Sequence, residues 1–166
     1  MGTRSAIGVM HGDKAKVVYC HWDGYVDHNG RILQEHYNSP KANHLVALGN
    51  ISSLKPNIEI PEGVEHSFNE PAKDITVFYG RDRGEEGQEF EVCFSDAEMY
   101  EKFPWCEYFY IMKDGVWYVS EGAGTDWNFL EDEVAKLDGK PVAVRGVEVA
   151  ALPFVIKDLV EMSKNA

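Results

Sequence analysis

Residues able to do chemistry are densest in Tyr19-Cys20-His21-Trp22-Asp23-Gly24-Tyr25. Strand alternation sends Tyr19, His21 and Asp23 to one side, joining a ring that titrates near neutrality to a carboxylate and aromatic surfaces. Such rings stack on bases or sugars, so Tyr19, His21, Trp22, Asp23 and Tyr25 are candidate ligand-binding residues. The plainer alternative is structural, with Trp22 and Tyr25 in the core, Asp23 capping a turn and His21 bonded to backbone. A second cluster is Gly80-Arg81-Asp82-Arg83-Gly84-Glu85-Glu86-Gly87. Arg81 and Arg83 on a glycine-rich loop can grip a phosphate or carboxylate bidentately. Against this, Asp82, Glu85, Glu86 and Glu89 are close enough in sequence to neutralise them.

Other chemistries find little footing. The spacings His21–His28, His28–His36 and His36–His44 match no metal-ligand pattern, so no metal and no cofactor are expected. Cys20, Cys93 and Cys106 all fall in expected strands, where a buried thiol behaves as a small hydrophobe. The chain has no Gly-x-Ser-x-Gly, Walker loop, dinucleotide fingerprint or Cys-x-x-Cys. A binding role is therefore preferred to an enzymatic one, and a hydrolase with an unrecognised site is the remaining enzymatic alternative.

Several elements position these residues. Ser5–His11 and Lys16–Trp22 form a hairpin around Gly12-Asp13, with His11 opposite either Lys14 or Lys16. Both registers put Ile7 and Val9 with Val18, Cys20 and Trp22 on the core face. Asn29 caps a helix carrying Ile32, Leu33, His36 and Tyr37, and Ser39-Pro40 starts a second that ends at Gly49. Residues 50–73 read as a long irregular connection with a short strand near Ile58–Ile60. Ile75–Gly80 is a strand, and Phe90, Val92 and Phe94 are the inward side of another. Ser95 and Glu98 make a capping box for a helix running to Phe103. Trp105–Lys113 and Val116–Ser120 flank Asp114-Gly115, the signature of a type I′ hairpin. Aromatic residues on both faces of that hairpin are the argument for a homo-oligomer. Beyond a linker at Ser120–Thr125, Phe129–Leu137 is helical, Val142–Val149 is a strand and Pro153 opens a last helix. These elements make an α+β fold, a mostly antiparallel sheet of about five strands with helices packed on it. Residues 1–120 are the expected core domain, with 121–166 a C-terminal appendage.

Composition bounds the function. The chain has 166 residues and a net charge of −12, with 44% hydrophobic residues, ample for a folded core. Residues 1–50 hold five basic and four acidic residues; the rest hold 11 and 24, so the acidity belongs to residues 51–166. That balance argues against a general nucleic-acid binder but leaves room for a local anion site. It also raises an alternative, an acidic surface that imitates nucleic acid and inhibits a host enzyme or defence complex. Glu131-Asp132-Glu133 with Glu85, Glu86, Glu89 and Glu91 would supply it. No apolar run suits a membrane span and no signal peptide is expected. Three widely spaced cysteines fit reduced thiols in a cytoplasmic compartment.

Thr3-Arg4-Ser5-Ala6-Ile7, Tyr19–Tyr25, Gly80-Arg81-Asp82-Arg83-Gly84-Glu85 and the closing Trp117-Tyr118-Val119-Ser120 resemble a family of small, mostly uncharacterised bacteriophage proteins. The resemblance covers residues 1–120, and its most specific segment is YCHWDGY. It implies a phage or prophage product acting in the host bacterial cytoplasm and brings no established catalytic residues. The expectation is an accessory protein that acts by binding, against host defence. It would hold a nucleotide-like ligand between Tyr19, His21, Trp22, Asp23 and Tyr25, with Arg81 and Arg83 on the phosphates. A host protein is the other expected partner.

Overall fold

The computed structural model describes residues 2–122, 126–142 and 153–154. The strand expected at Val142–Val149 and the helix expected from Pro153 lie essentially outside them. The first hairpin pairs β1 (Ser5–His11) with β2 (Lys14–Cys20) in the shorter register, His11 opposite Lys14. A single π turn (Val26–Gly30) leads into α1 (Arg31–His36) and α2 (Ser39–Ala47). Asn38, one residue before the expected cap, accepts from the Lys41 amide and starts α2 with Pro40 in its first turn.

Three short elements follow: β3 (Ile51–Ser53), β4 (Val77–Phe78) and α3 (Tyr79–Arg83). Next come β5 (Glu91–Cys93) and α4 (Asp96–Lys102), which begins with Ser95 accepting from the Glu98 amide. The second hairpin, β6 (Tyr108–Lys113) and β7 (Val116–Ser120), turns at Asp114 and Gly115 with φ of 51° and 80°. Two consecutive positive φ values are what a type I′ turn requires, so the register Lys113 opposite Val116 follows directly. Finally β8 (Trp127–Phe129) runs into α5 (Leu130–Leu137).

The fold is α+β, as expected, but the sheet is mixed and has eight strands rather than about five. Its order is β4-β3-β2-β1-β6-β7-β8, with β5 paired to the other half of the β2 edge. β1 lies parallel to β6, and β2 parallel to β3. Local hairpin patterns reveal only antiparallel neighbours; parallel pairs join segments separated by long connections and leave no local signature. The strands not expected, β3 and β8, have three residues each, too few for alternation to show, while β4 and β5 keep only two and three residues of the strands expected at Ile75–Gly80 and around Phe90–Phe94. Cys93 is buried and Phe94 exposed, while Phe90 packs against the helix-covered face, so Phe90, Val92 and Phe94 do not form the single inward side expected.

Both sheet faces are covered. Ile7, Val9, Val18, Tyr110, Met112 and Trp117 pack under α1, α2 and α5 through Leu33, Leu45, Val46, Leu130 and Val134. Val17, Phe109, Ile111 and Tyr118 pack on the other side against Met99, Phe103 and Trp127. The aromatic faces of the second hairpin are thus buried within the chain itself. The sheet also runs across residue 120, because β8 pairs with β7 and Leu130 enters the core. No helix among the described residues is long and apolar enough to cross a membrane.

Candidate functional site

The site begins where β2 leaves the sheet. The His21 and Trp22 amides donate to Ile51 and Ser52 carbonyls at 3.0 Å, fastening this exit to β3. Asp23 then turns the chain with φ of 55°, a left-handed value that aspartate tolerates better than most residues. Gly24 must be glycine, because a Cβ there would stand 2.8 Å from the Ser5 Cβ and 2.9 Å from the Thr3 carbonyl. Buried Asn29 does not cap α1. Its amide donates to the Trp22 carbonyl at 3.1 Å and also reaches Ser5 Oγ and Cys20 Sγ. Tyr110 secures the same turn by donating its hydroxyl to the Gly24 carbonyl at 2.6 Å. Segments 3–5 and 20–29 therefore fold as one knot that fixes the Trp22 backbone.

Tyr19 and His21 form a short side-chain pair, Oη to Nδ1 at 2.6 Å. Burial pushes the Tyr19 phenol up to about 12. Desolvation, then the Arg4 charge, lowers the His21 imidazole below its ordinary value. Both shifts keep the phenol protonated and favour the neutral imidazole. Trp22 meets His21 edge-on at 4.6 Å between centroids and is 42% exposed.

His21 and Trp22 form one wall of an open groove of about 690 Å³. Phe68 and Tyr79, whose rings are 5.5 Å apart, line it as well. Ser52, Ser53 and Val77 line it from β3 and β4. Its charged lining is Lys55, Lys73 and Arg83 against one carboxylate, Asp74. Arg83 lies over the Phe68 ring at 4.8 Å and stands 3.7 Å from Glu85. Among the described residues, Lys55 and Lys73 make no ion pair.

The wall bearing Phe68 is held from behind by a buried polar hub. Asp82, with a side chain only 3% exposed, accepts from Arg81, from the Phe78 amide at 2.8 Å and from His66 at 3.2 Å. The His66 side chain is buried, and its Nδ1 accepts from the Ala72 amide at 2.9 Å. Arg81 also donates to the Ile58 and Thr76 carbonyls and lies over the Phe78 ring. Desolvation raises the Asp82 carboxyl, but the hydrogen bonds from Arg81, Phe78 and His66 outweigh it and hold the group below its ordinary value.

Of the expected ligand-binding residues, His21, Trp22 and Arg83 line the groove, and Tyr19 touches it through His21. Asp23 and Tyr25 lie together outside the lining, Tyr25 donating to Asp23 at 3.2 Å. Arg81 is committed to the hub, since α3 begins at Tyr79 and the segment expected to be a loop is partly helix. Ser52, Lys55, Phe68, Lys73 and Tyr79 were not foreseen. Lys55 and Lys73, in a connection that otherwise carries only acidic charges, were the available signal. The three thiols are buried, and desolvation pushes Cys20 and Cys106 up to about 12 and Cys93 to about 11, so none supplies a thiolate at neutral pH.

Comparison with protein-family models, with curated proteins and with solved structures gives no match.

Proposed function

We propose that this chain is a bacteriophage-encoded accessory protein that works by binding in the host bacterial cytoplasm, sequestering a nucleotide-like ligand against host defence. The observation that carries the binding role is the charge of the groove. In a chain of net −12, three cationic side chains and one carboxylate line a cleft whose walls are aromatic. Cations beside ring surfaces are the combination that recognises a base together with its phosphates. His21 adds to the lining an imidazole whose charged form a phosphate oxygen would favour. The phage setting is supported by the resemblance of the four quoted segments.

The acidic-inhibitor alternative draws on Glu131-Asp132-Glu133, but these residues occupy the first turn of α5, where carboxylates complement the helix dipole. That is a local reason for the cluster. Isothermal titration with ATP tests the proposal, with adenosine and pyrophosphate as the ring-only and phosphate-only probes. ATP should bind more tightly than either probe, and the Lys55→Glu/Arg83→Glu double variant should bind at least tenfold more weakly. No heat from folded wild-type protein would remove the proposal.

A further inference from the structure

We infer that Asp74 makes the groove selective for guanine over adenine by accepting from the donor edge of the base. This rests on the nucleotide-binding proposal above and names the base. A fixed turn is the first observation. The Ile75 amide donates to the Ala72 carbonyl at 3.3 Å, closing a β-turn whose two central residues are Lys73 and Asp74. The turn is anchored on both sides. The Ala72 amide donates to His66, and the Asn57 amide donates to the Asp74 carbonyl at 3.1 Å. The Thr76 amide then donates to the Asn57 carbonyl at 2.8 Å. Asp74 itself has φ of 62°, an uncommon value for any residue but glycine. Among the described residues, two other non-glycine positions share it: Asp114 serves the second hairpin, and Asp23 turns the chain beside Gly24. Asp74 is the one that lines the groove, and such backbone conformations gather at ligand sites.

Charge is the second observation. Lys73 and Asp74 are both exposed in the lining, and Asp74 is its one carboxylate. Among the described residues this carboxylate has no ion-pair partner and accepts no hydrogen bond. Beside bound phosphates it is repulsive unless another part of the ligand donates to it. A nucleotide carries such donors on its ribose and on its base. Guanine presents N1–H and the N2 amino group side by side, matching the two acceptor oxygens of a carboxylate. Adenine presents a single amino group beside the N1 lone pair, which would face the carboxylate acceptor to acceptor.

The test is isothermal titration of the full chain with GTP, ITP and ATP in EDTA, so that no divalent ion bridges carboxylate and phosphate. GTP should bind at least about tenfold more tightly than ATP, with ITP, which lacks the N2 amino group, between them. Asn and Gly both tolerate a positive φ, so Asp74→Asn and Asp74→Gly keep the turn. Each should bring the GTP-to-ATP ratio close to one, weakening GTP while ATP binds as well as before or better. Equal affinities of the wild type for GTP and ATP would overturn the assignment and leave a nucleotide site without base preference. Loss of GTP and ATP affinity by the same factor in Asp74→Asn would overturn it in favour of a ribose contact. Absence of binding by all three would remove the nucleotide-binding proposal as well.

Discussion

His21 is the residue through which pH should act on binding. Its imidazole is neutral in the free protein because desolvation and Arg4 depress its value, whereas a bound phosphate favours the charged ring. Binding therefore takes up a proton, and affinity rises as pH falls. A phosphodiester such as ApA keeps its own charge over this range. It should bind up to about tenfold more tightly at pH 5.5 than at pH 7.5, and His21→Gln should flatten the profile. Fluorescence titration at several pH values measures this. The importance of His21 and Trp22 was visible in their residue types and in their place at a strand end. That Arg83 rather than Arg81 reaches the groove was not visible, because two arginines two residues apart look alike until one turn of helix separates their directions. Asn29 looked like a helix cap for the same reason: its chemistry suits a cap, and only tertiary contact shows that its partners lie on Ser5, Cys20 and Trp22.

At the scale of elements, α3 is a clamp that sets one wall of the groove. Removing the buried carboxylate of Asp82 leaves Arg81 and His66 uncompensated, so Asp82→Ala should cost about 3–5 kcal/mol in urea unfolding. It should also open residues 59–74 to proteolysis, since their anchors on His66 and Arg81 are lost. Arg83→Ala, half exposed and outside the hub, should change stability by less than about 0.5 kcal/mol while weakening ATP binding at least tenfold. The pH sign follows from the depressed Asp82 carboxyl. Its stabilisation is present above the ordinary value of 3.8 and is lost as pH falls through the lower folded value. Wild type should lose this contribution on acidification below about pH 4, and Asp82→Asn should show a shallower acid limb. The two long hairpins were legible because alternation and turn residues fix them locally. β3, β8 and α3 were not, because each is too short to display a period and is stabilised by partners distant in sequence.

Across the whole molecule, residues 127–137 complete the sheet and its helical cover. Leu130 and Val134 are the buried residues of α5, and each contributes about 1.5–3 kcal/mol by its burial. A chain ending at residue 120 also leaves the β7 edge unpaired, so it should lose cooperative thermal unfolding; circular dichroism reads this directly. The charge of −12 has a second consequence at this scale. A small cationic groove within an acidic surface favours compact anions, and its affinity should fall as salt rises from 50 to 200 mM. The α+β class was legible from the spacing of elements along the chain. The groove was not, because it joins the end of β2, the connection after β3 and the start of α3, three places that only the fold brings together.

The central claim is that this groove is where a nucleotide-like anion binds. Backbone amide NMR during titration with ATP tests it most directly. Shifts should concentrate at residues 21–22, 52–55, 68–74 and 79–83. Shifts confined to α5 at Leu130–Leu137, or none at all in folded protein, would contradict it.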